Sequence, residues 1–296
     1  MEENQESRSV WTPLKIIQWA VPYLSQKGIP NPRFDAELLI AHALKVDRLK
    51  VYLQFDRPLD AQELEAIRNL FKRRSEREPL QYITGQREFF GLNFEVGPGV
   101  LIPRPETEQL VEQAIEWLTP LPEEKRLVLD LGTGSGCIAI AIAKSVSCHV
   151  WAVDVSAKAL ELAQHNAQNL GVSESIQWRQ GHWFEALKLG DPDQFNLITS
   201  NPPYIPLTER ADLAPEIRDY EPSEALFAEN DGLRAYEEMA QGLKSKLSPD
   251  GAVLFEIHAN AYDKVSGLLG KLGLRETLYR DLQGHPRVIK IETEIY

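Results

Sequence analysis

The sequence predicts an α/β protein: a mostly parallel seven-stranded sheet with an antiparallel last strand, preceded by a small helical bundle and a β-hairpin linker. Three observations predict it. From about residue 106, short apolar strands alternate with helical patterns, as in a sheet covered by helices on both faces. Only QGHP separates the last two strand candidates, so they should pair antiparallel. The first 80 residues read instead as short helices.

Taken in order, the segment from Pro13 to Gln26 is helical in pattern, with Pro22 as a kink or break. NPRFDAELLIAHALKV opens with Asn31 as a cap and Pro32 at the first helical position, and Leu38, Leu39, Ala41, His42 and Leu44 supply its apolar face. DAQELEAIRNLFKRRSERE starts at Asp60 and places Leu64, Ile67, Leu70 and Phe71 at helical spacing. Its basic run KRRSER reads as a solvated helix face. Residues 1–80 are thus expected to form a helical domain. Residues 81–105, rich in aromatic and β-branched residues with glycines at turns, form a hairpin linker, and 106–296 form the main domain. Strand candidates there are RLVLDLG, HVWAVDV, SIQWRQG, FNLITS, GAVLFEIH, LRETLYRDL and RVIKIETE.

Composition narrows the functional classes. A chain of 296 residues can bury a sizeable core without disulfides or metals. Two cysteines, Cys137 and Cys148, fit a reducing compartment. The start MEENQESRSV does not read as a secretory signal, and no apolar run approaches a membrane span. A cytoplasmic protein, taken as a monomer, is the expectation. The net charge of −12 is uneven: residues 1–80 hold 13 Lys/Arg against 12 Asp/Glu, leaving 19 against 32 for the remainder. A main domain so acidic is a poor general binder of phosphate backbones. The six histidines show no metal-ligand spacing, and no metal is expected.

VLDLGTGSGCIAIAIA reads as strand, glycine turn and helix, placing Gly132, Thr133, Gly134, Ser135 and Gly136 at the first strand–helix junction, where open sheets bind ligands. A dinucleotide fingerprint wants Gly or Ala at the position that Cys137 occupies. The second strand ends at Asp154, whose carboxylate can accept from both hydroxyls of a ribose. Together these favour S-adenosylmethionine over NAD. Trp183, after the third strand, is placed to lie against an adenine ring or to cover the pocket, or else belongs to the core.

SNPPYIP, residues 200–206, follows the fourth strand directly. Asn201 and Pro202 each precede a proline, and both prolines have a fixed φ and no N–H, so the strand exit is stiff and extended. The Asn201 side-chain carbonyl and the Pro202 backbone carbonyl could accept the two hydrogens of a planar NH2 group, with the Tyr204 ring over its flat face. Such acceptors orient a weakly nucleophilic nitrogen and favour the positive charge it develops on methylation. A proline-rich surface loop is the plainer alternative.

These residues together resemble the class I S-adenosylmethionine-dependent methyltransferases, and more closely the peptide chain release factor glutamine methyltransferases of the PrmC/HemK family. The motifs are LIPRPETE at 101–108, DLGTGSG at 130–136, NPPY at 201–204, YEPSEAL at 220–226 and DGLRAY at 231–236. The resemblance covers nearly the whole chain and implies a Rossmann-like catalytic domain. It implies S-adenosylmethionine as methyl donor, S-adenosylhomocysteine as product, and the N5 of the glutamine in the Gly-Gly-Gln loop of class 1 release factors as acceptor. It also implies no direct contact with nucleic acid or membrane. By position, residues 132 to 136, Asp154, Trp183 and Asn201 would contact the cofactor. Asn201, Pro202, Pro203 and Tyr204 would hold the glutamine, with Asn201, Pro202 and Tyr204 as the catalytic set. The resemblance also assigns substrate binding to the helical domain of residues 1–80. One departure is Glu256-Ile257-His258, where the family usually has Glu-Ile-Gly. An amino-methyltransferase acting on nucleic acid, since NPPY is shared with such enzymes, and a non-catalytic nucleoside-binding module are the competing readings.

Overall fold

The computed structural model describes residues 10–293, so the predicted leader reading and Glu294 of the last predicted strand lie outside the described residues. The chain divides into two compact units, 1–85 and 86–296.

The first unit is helical, with helices Pro13–Gln26, Pro32–Leu44, Arg48–Leu53, Ala61–Ser75 and Leu80–Thr84. Thr12 and Asp60 cap two of them, Asp60 in a reciprocal capping box with Glu63. Four expectations are corrected here. Pro22 does not break the first helix, which runs on to Gln26. His42 is exposed rather than part of the apolar face, while Asp35 and Glu37 are buried beside Leu39 and Ile40. The basic run is not a free solvated face: Arg74 is buried against Asp35 at 2.7 Å, Arg73 pairs with Glu78, and Arg77 donates to the carbonyl oxygens of Lys27 and Gly28. The start of the predicted hairpin linker is likewise helical. Residues Leu80–Thr84 turn so that Leu80 and Ile83 enter the core of this unit.

The second unit opens with strands β1 (Gln86–Phe89) and β2 (Leu92–Glu95), an antiparallel hairpin. Its central sheet uses β3 (Leu127–Leu131), β4 (His149–Asp154), β5 (Ile176–Gln180) and β6 (Phe195–Ser200). The short strands β7 (Ile205–Pro206) and β8 (Phe227–Ala228) pair with each other in parallel outside this sheet. Strands β9 (Leu247–Glu256), β10 (Arg275–Arg280) and β11 (Pro286–Glu292) complete it in the order β10-β11-β9-β6-β3-β4-β5. All pairings are parallel except those of β11, antiparallel to both neighbours. That is the predicted sheet.

The strands are continuously apolar because successive side chains enter different cores. Val128, Leu197 and Leu254 pack with Ile138 and Ile142 of helix Cys137–Ser145 on one face. Leu129, Ile198, Val253 and Phe255 pack with Tyr236 and Met239 of helix Arg234–Lys246 on the other. The strand order reverses between β3 and β6, and the carboxyl ends of these two strands are where the glycine loop and the proline stretch begin.

Candidate active site

The glycine loop leaves β3 and turns into helix Cys137–Ser145. Gly136 is needed for packing as well as for its φ of +80°: a Cβ there would stand 2.9 Å from Ile140 Cδ1 and 3.0 Å from Ala163 Cβ. The loop is closed onto β4 by its own carboxylate. Asp154 Oδ2 accepts from the Gly134 N–H at 2.8 Å, and Oδ1 accepts from the Ser156 N–H at 2.9 Å. Each oxygen keeps a second lone pair. Burial raises the Asp154 pKa against these backbone donors. Beneath the loop, Asp130 is fully buried, accepts from the Thr199 hydroxyl at 2.8 Å, and is pushed by burial up to about 6.

Gly132, Thr133, Gly134, Ser135 and Asp154 line a cavity of about 370 Å³ that also takes in His182, Trp183, Asn201, Pro203 and Glu238. Trp183 sits at φ +43°, which for a side chain of this size is strained by about 1–2 kcal/mol. It is held there: its indole N–H donates to Glu238 Oε2 at 2.9 Å. Burial pushes Glu238 up, yet the Trp183 and Arg234 donors outweigh it and keep the carboxyl below its usual pKa. A Cβ on Gly132 would lie 3.6 Å from Trp183 Cζ3, so the ring wall stands next to the glycine loop. Thr133 Oγ1 and Ser135 Oγ, on two further lining residues, are buried without a hydrogen-bond partner. Two inward-facing hydroxyls, a half-buried carboxylate at a strand end and an indole wall fit a nucleoside-bearing cofactor.

The proline stretch lies between this cavity and a second one of about 350 Å³. Asn201 lines both; Pro203 faces the first, and Pro202 and Tyr204 the second. The Asn201 Nδ2 donates to the Thr107 hydroxyl at 3.1 Å, so its side-chain carbonyl is left for another donor. The Tyr204 hydroxyl donates to Glu256 Oε1 at 3.1 Å. Tyr204 is partly buried, and desolvation together with Glu256 raises its pKa well above the usual phenol value, so it stays a neutral donor. His258 lines the same second cavity, its ring 6.0 Å from that of Tyr204.

Contacts between sequence-distant motifs surround this stretch, and one of them pairs directly with its end. Arg104 pairs with the buried Glu221 at 2.6 Å, and Glu221 Oε2 also accepts from the Ile102 N–H, joining 101–108 to 220–226. Glu108 caps the β1–β2 turn by accepting from the Phe90 N–H at 2.8 Å. Ile205 and Pro206 pair with Phe227 and Ala228. Sequence reasoning assigned no individual role to Thr107, Glu221, Glu238 or Glu256, and took Asp130 only as the residue before the glycines; the local signals were that Thr107 and Glu221 sit inside LIPRPETE and YEPSEAL, that Asp130 opens DLGTGSG, and that Glu256 begins Glu256-Ile257-His258. Cys137 is a buried packing residue, its thiol pushed by burial up to about 12. Among the described residues there is no group of acidic, histidine and cysteine side chains that could hold a metal, and no helix is long and apolar enough to cross a membrane.

Comparison with known proteins agrees with this geometry. Residues 15–85 match the PrmC N-terminal domain, and residues 111–217 match the methyltransferase small domain. A methyltransferase of solved structure from Pyrococcus furiosus, 17% identical, superposes with a TM-score of 0.51 over 70% of this chain and 91% of its own, which supports the fold. A release factor glutamine methyltransferase of Chlorobaculum tepidum is 42% identical, covering 88% of this chain and 90% of its own. Another, of Geobacter sulfurreducens, is 41% identical over 96% of this chain and 98% of its own. A match of that depth over both units and both cavities leaves one conclusion: the chain belongs to the release factor glutamine methyltransferase family.

Proposed function

We propose that the protein methylates the N5 side-chain nitrogen of the glutamine in the Gly-Gly-Gln loop of class 1 peptide chain release factors, using S-adenosylmethionine and leaving S-adenosylhomocysteine. The observation that carries the reading is Asn201. Its amide nitrogen is tied to Thr107, which leaves Oδ1 as an acceptor in the wall shared by the two cavities. Residues 132 to 136, Asp154 and Trp183 would hold the cofactor on one side, with the Asp154 lone pairs for the ribose hydroxyls and the Trp183 ring beside the base. When bound, the cofactor supplies an electrophilic methyl group on a sulfonium sulfur. On the other side, Asn201 Oδ1 and the Pro202 carbonyl would accept the two amide hydrogens, while Tyr204 confines the flat group and Pro203, facing the first cavity, bounds it from the cofactor side. The acceptors fix the nitrogen in line for attack and favour the charge it gains. Its proton can leave after transfer, so no dedicated base is required.

The acidic second unit speaks against a nucleic-acid acceptor. The helical first unit is proposed to grip the release factor, and the setting is proposed to be cytoplasmic, where such factors work. The test uses labelled cofactor and a release factor with its loop glutamine intact or replaced; equal labelling of both would refute the assignment. In the same assay Asn201→Ala should lower turnover by about 10²-fold or more while cofactor binding largely survives. Unchanged turnover would remove the role given to Asn201.

A further inference from the structure

Behind the clamp lies a carboxylate for which the reading above has no use. Glu256 ends β9 and is 2% exposed. Its Oε1 accepts from Tyr204, and its Oε2 is buried with no hydrogen-bond partner. No cation among the described residues pairs with it. Arg104 is engaged by Glu221, Arg287 by Asp281, and His258 stands nearest Glu209. A buried carboxylate without a cation is costly and marks a place where function has a claim.

Glu256 holds one end of the clamp and stands beside the support of the other. Tyr204 it binds directly. The Thr107 hydroxyl, which accepts from Asn201 Nδ2, also lies close enough to favour the charged carboxylate. A hydroxyl that accepts from Asn201 has its own hydrogen to give elsewhere, and Glu256 is the acceptor beside it. The direction of this chain decides which way the Asn201 amide points. With Glu256 ionised, Thr107 can turn its hydrogen toward the carboxylate while it accepts from Nδ2, so Oδ1 is left for the substrate nitrogen. With Glu256 protonated, the acid can donate to Thr107. The Thr107 hydrogen then turns toward Asn201, the amide flips, and an NH2 group meets the substrate NH2.

We propose that Glu256 is the positioning residue of the acceptor clamp, fixing the orientation of Asn201 through Thr107 and the Tyr204 ring directly, and that it does so only as a carboxylate. This rests on the functional reading above. Methyl transfer is therefore gated by the ionisation of Glu256. Burial raises its pKa to about 7, against the Thr107 and Tyr204 hydroxyls. Glu106 raises it further and Arg287 lowers it. Arg104 and His258 line the same cavity, and the Tyr236 hydroxyl donates to the Glu256 backbone carbonyl at 2.7 Å.

The experiment is a pH series of kcat and KM with the full chain, labelled cofactor and intact release factor, for wild type, Glu256→Gln and Thr107→Val. Wild-type kcat should rise about tenfold from pH 6 to 8, with its midpoint near 7. Both variants should lose that limb and fall on the order of 10²-fold at pH 8, with cofactor affinity within about threefold of wild type. Thr107→Ser, which keeps the hydroxyl, should restore both rate and limb. A Glu256→Gln enzyme with wild-type kcat and an unchanged profile overturns the proposal. The Asn201 side-chain amide, followed by NMR across the same pH range, needs no substrate. If that resonance shifts with a midpoint near 7 in wild type and not in Glu256→Gln, the proposal stands even where no release factor is methylated, and the functional reading alone fails. If it does not move in wild type, the proposal fails.

Discussion

Gly232→Ala tests whether the clamp is placed by what packs behind it. A Cβ at position 232 would stand 2.2 Å from the Tyr204 carbonyl oxygen and 3.0 Å from its carbonyl carbon. The obstacle is backbone and cannot swing aside, so Tyr204 must retreat by about 1 Å to reach ordinary contact. The backbone at 232 has φ +84°, which adds about 1–2 kcal/mol of strain for alanine. Tyr204 is followed at once by the β7–β8 pairing and preceded by the two prolines, so the displacement passes into the clamp. A misplacement of about 1 Å at a reacting group costs on the order of 10²-fold in rate, or about 3 kcal/mol of barrier. Cofactor affinity should change by less than about threefold, since the glycine loop and Asp154 lie at the ends of other strands. Single-turnover methylation of a release factor, paired with calorimetric titration of the cofactor, separates the two effects. A rate constant within about twofold of wild type would refute the reasoning, as would equal losses in rate and cofactor affinity.

Asp154→Ala should weaken cofactor binding by about 10²-fold or more, because two charge-assisted hydrogen bonds of about 1.5–3 kcal/mol each are lost; calorimetry reads it directly. Asp130→Asn addresses pH. Burial raises the Asp130 pKa from 3.8 to about 6, so the folded chain holds this proton more tightly than the unfolded chain does. Stability from this group is therefore present below about pH 4 and lost as pH rises to about 6, a span of about 3 kcal/mol. The Asn variant should lack that decline, checked by urea unfolding of the cofactor-free protein at pH 4 and pH 8. Arg104→Leu leaves Glu221 buried without its cation and should destabilise the second unit by about 3 kcal/mol, measured by the same unfolding curves.

The sheet was legible because both its faces are buried: a strand such as Leu127–Leu131 must be apolar at successive positions, and that leaves a run no helix of that length would show. The glycine loop, Asp154 and the proline stretch were legible because each is a local backbone device written in neighbouring residues. What stayed hidden depends on partners far along the chain. Thr107 meets Asn201 across 94 positions, and Tyr204 meets Glu256 across 52. In the helical unit, polarity misled in both directions. Glu37 is buried because Arg33, Arg48 and Tyr52 surround its carboxylate, while His42, at good helical spacing, faces water. Leu80–Thr84 carries strand-favouring residues yet turns as a helix, because only that conformation delivers both Leu80 and Ile83 to the core.

The stiffness of the proline stretch is then only part of how the acceptors are placed. Two prolines fix φ but leave ψ and every side-chain angle free. Thr107 removes one freedom by holding the Asn201 amide, and Glu256 removes another by holding the Tyr204 hydroxyl. Gly232 removes a third by letting the backbone behind Tyr204 close to a distance that no other residue permits. Each of these comes from a different motif. If proline alone set the geometry, substitutions at Thr107, Gly232 and Glu256 would leave the rate intact and change stability only. If the three supports set it, each should lower kcat with cofactor affinity preserved. Pairs among them should then fall short of additivity, since a clamp already released by one substitution has less to lose from the next.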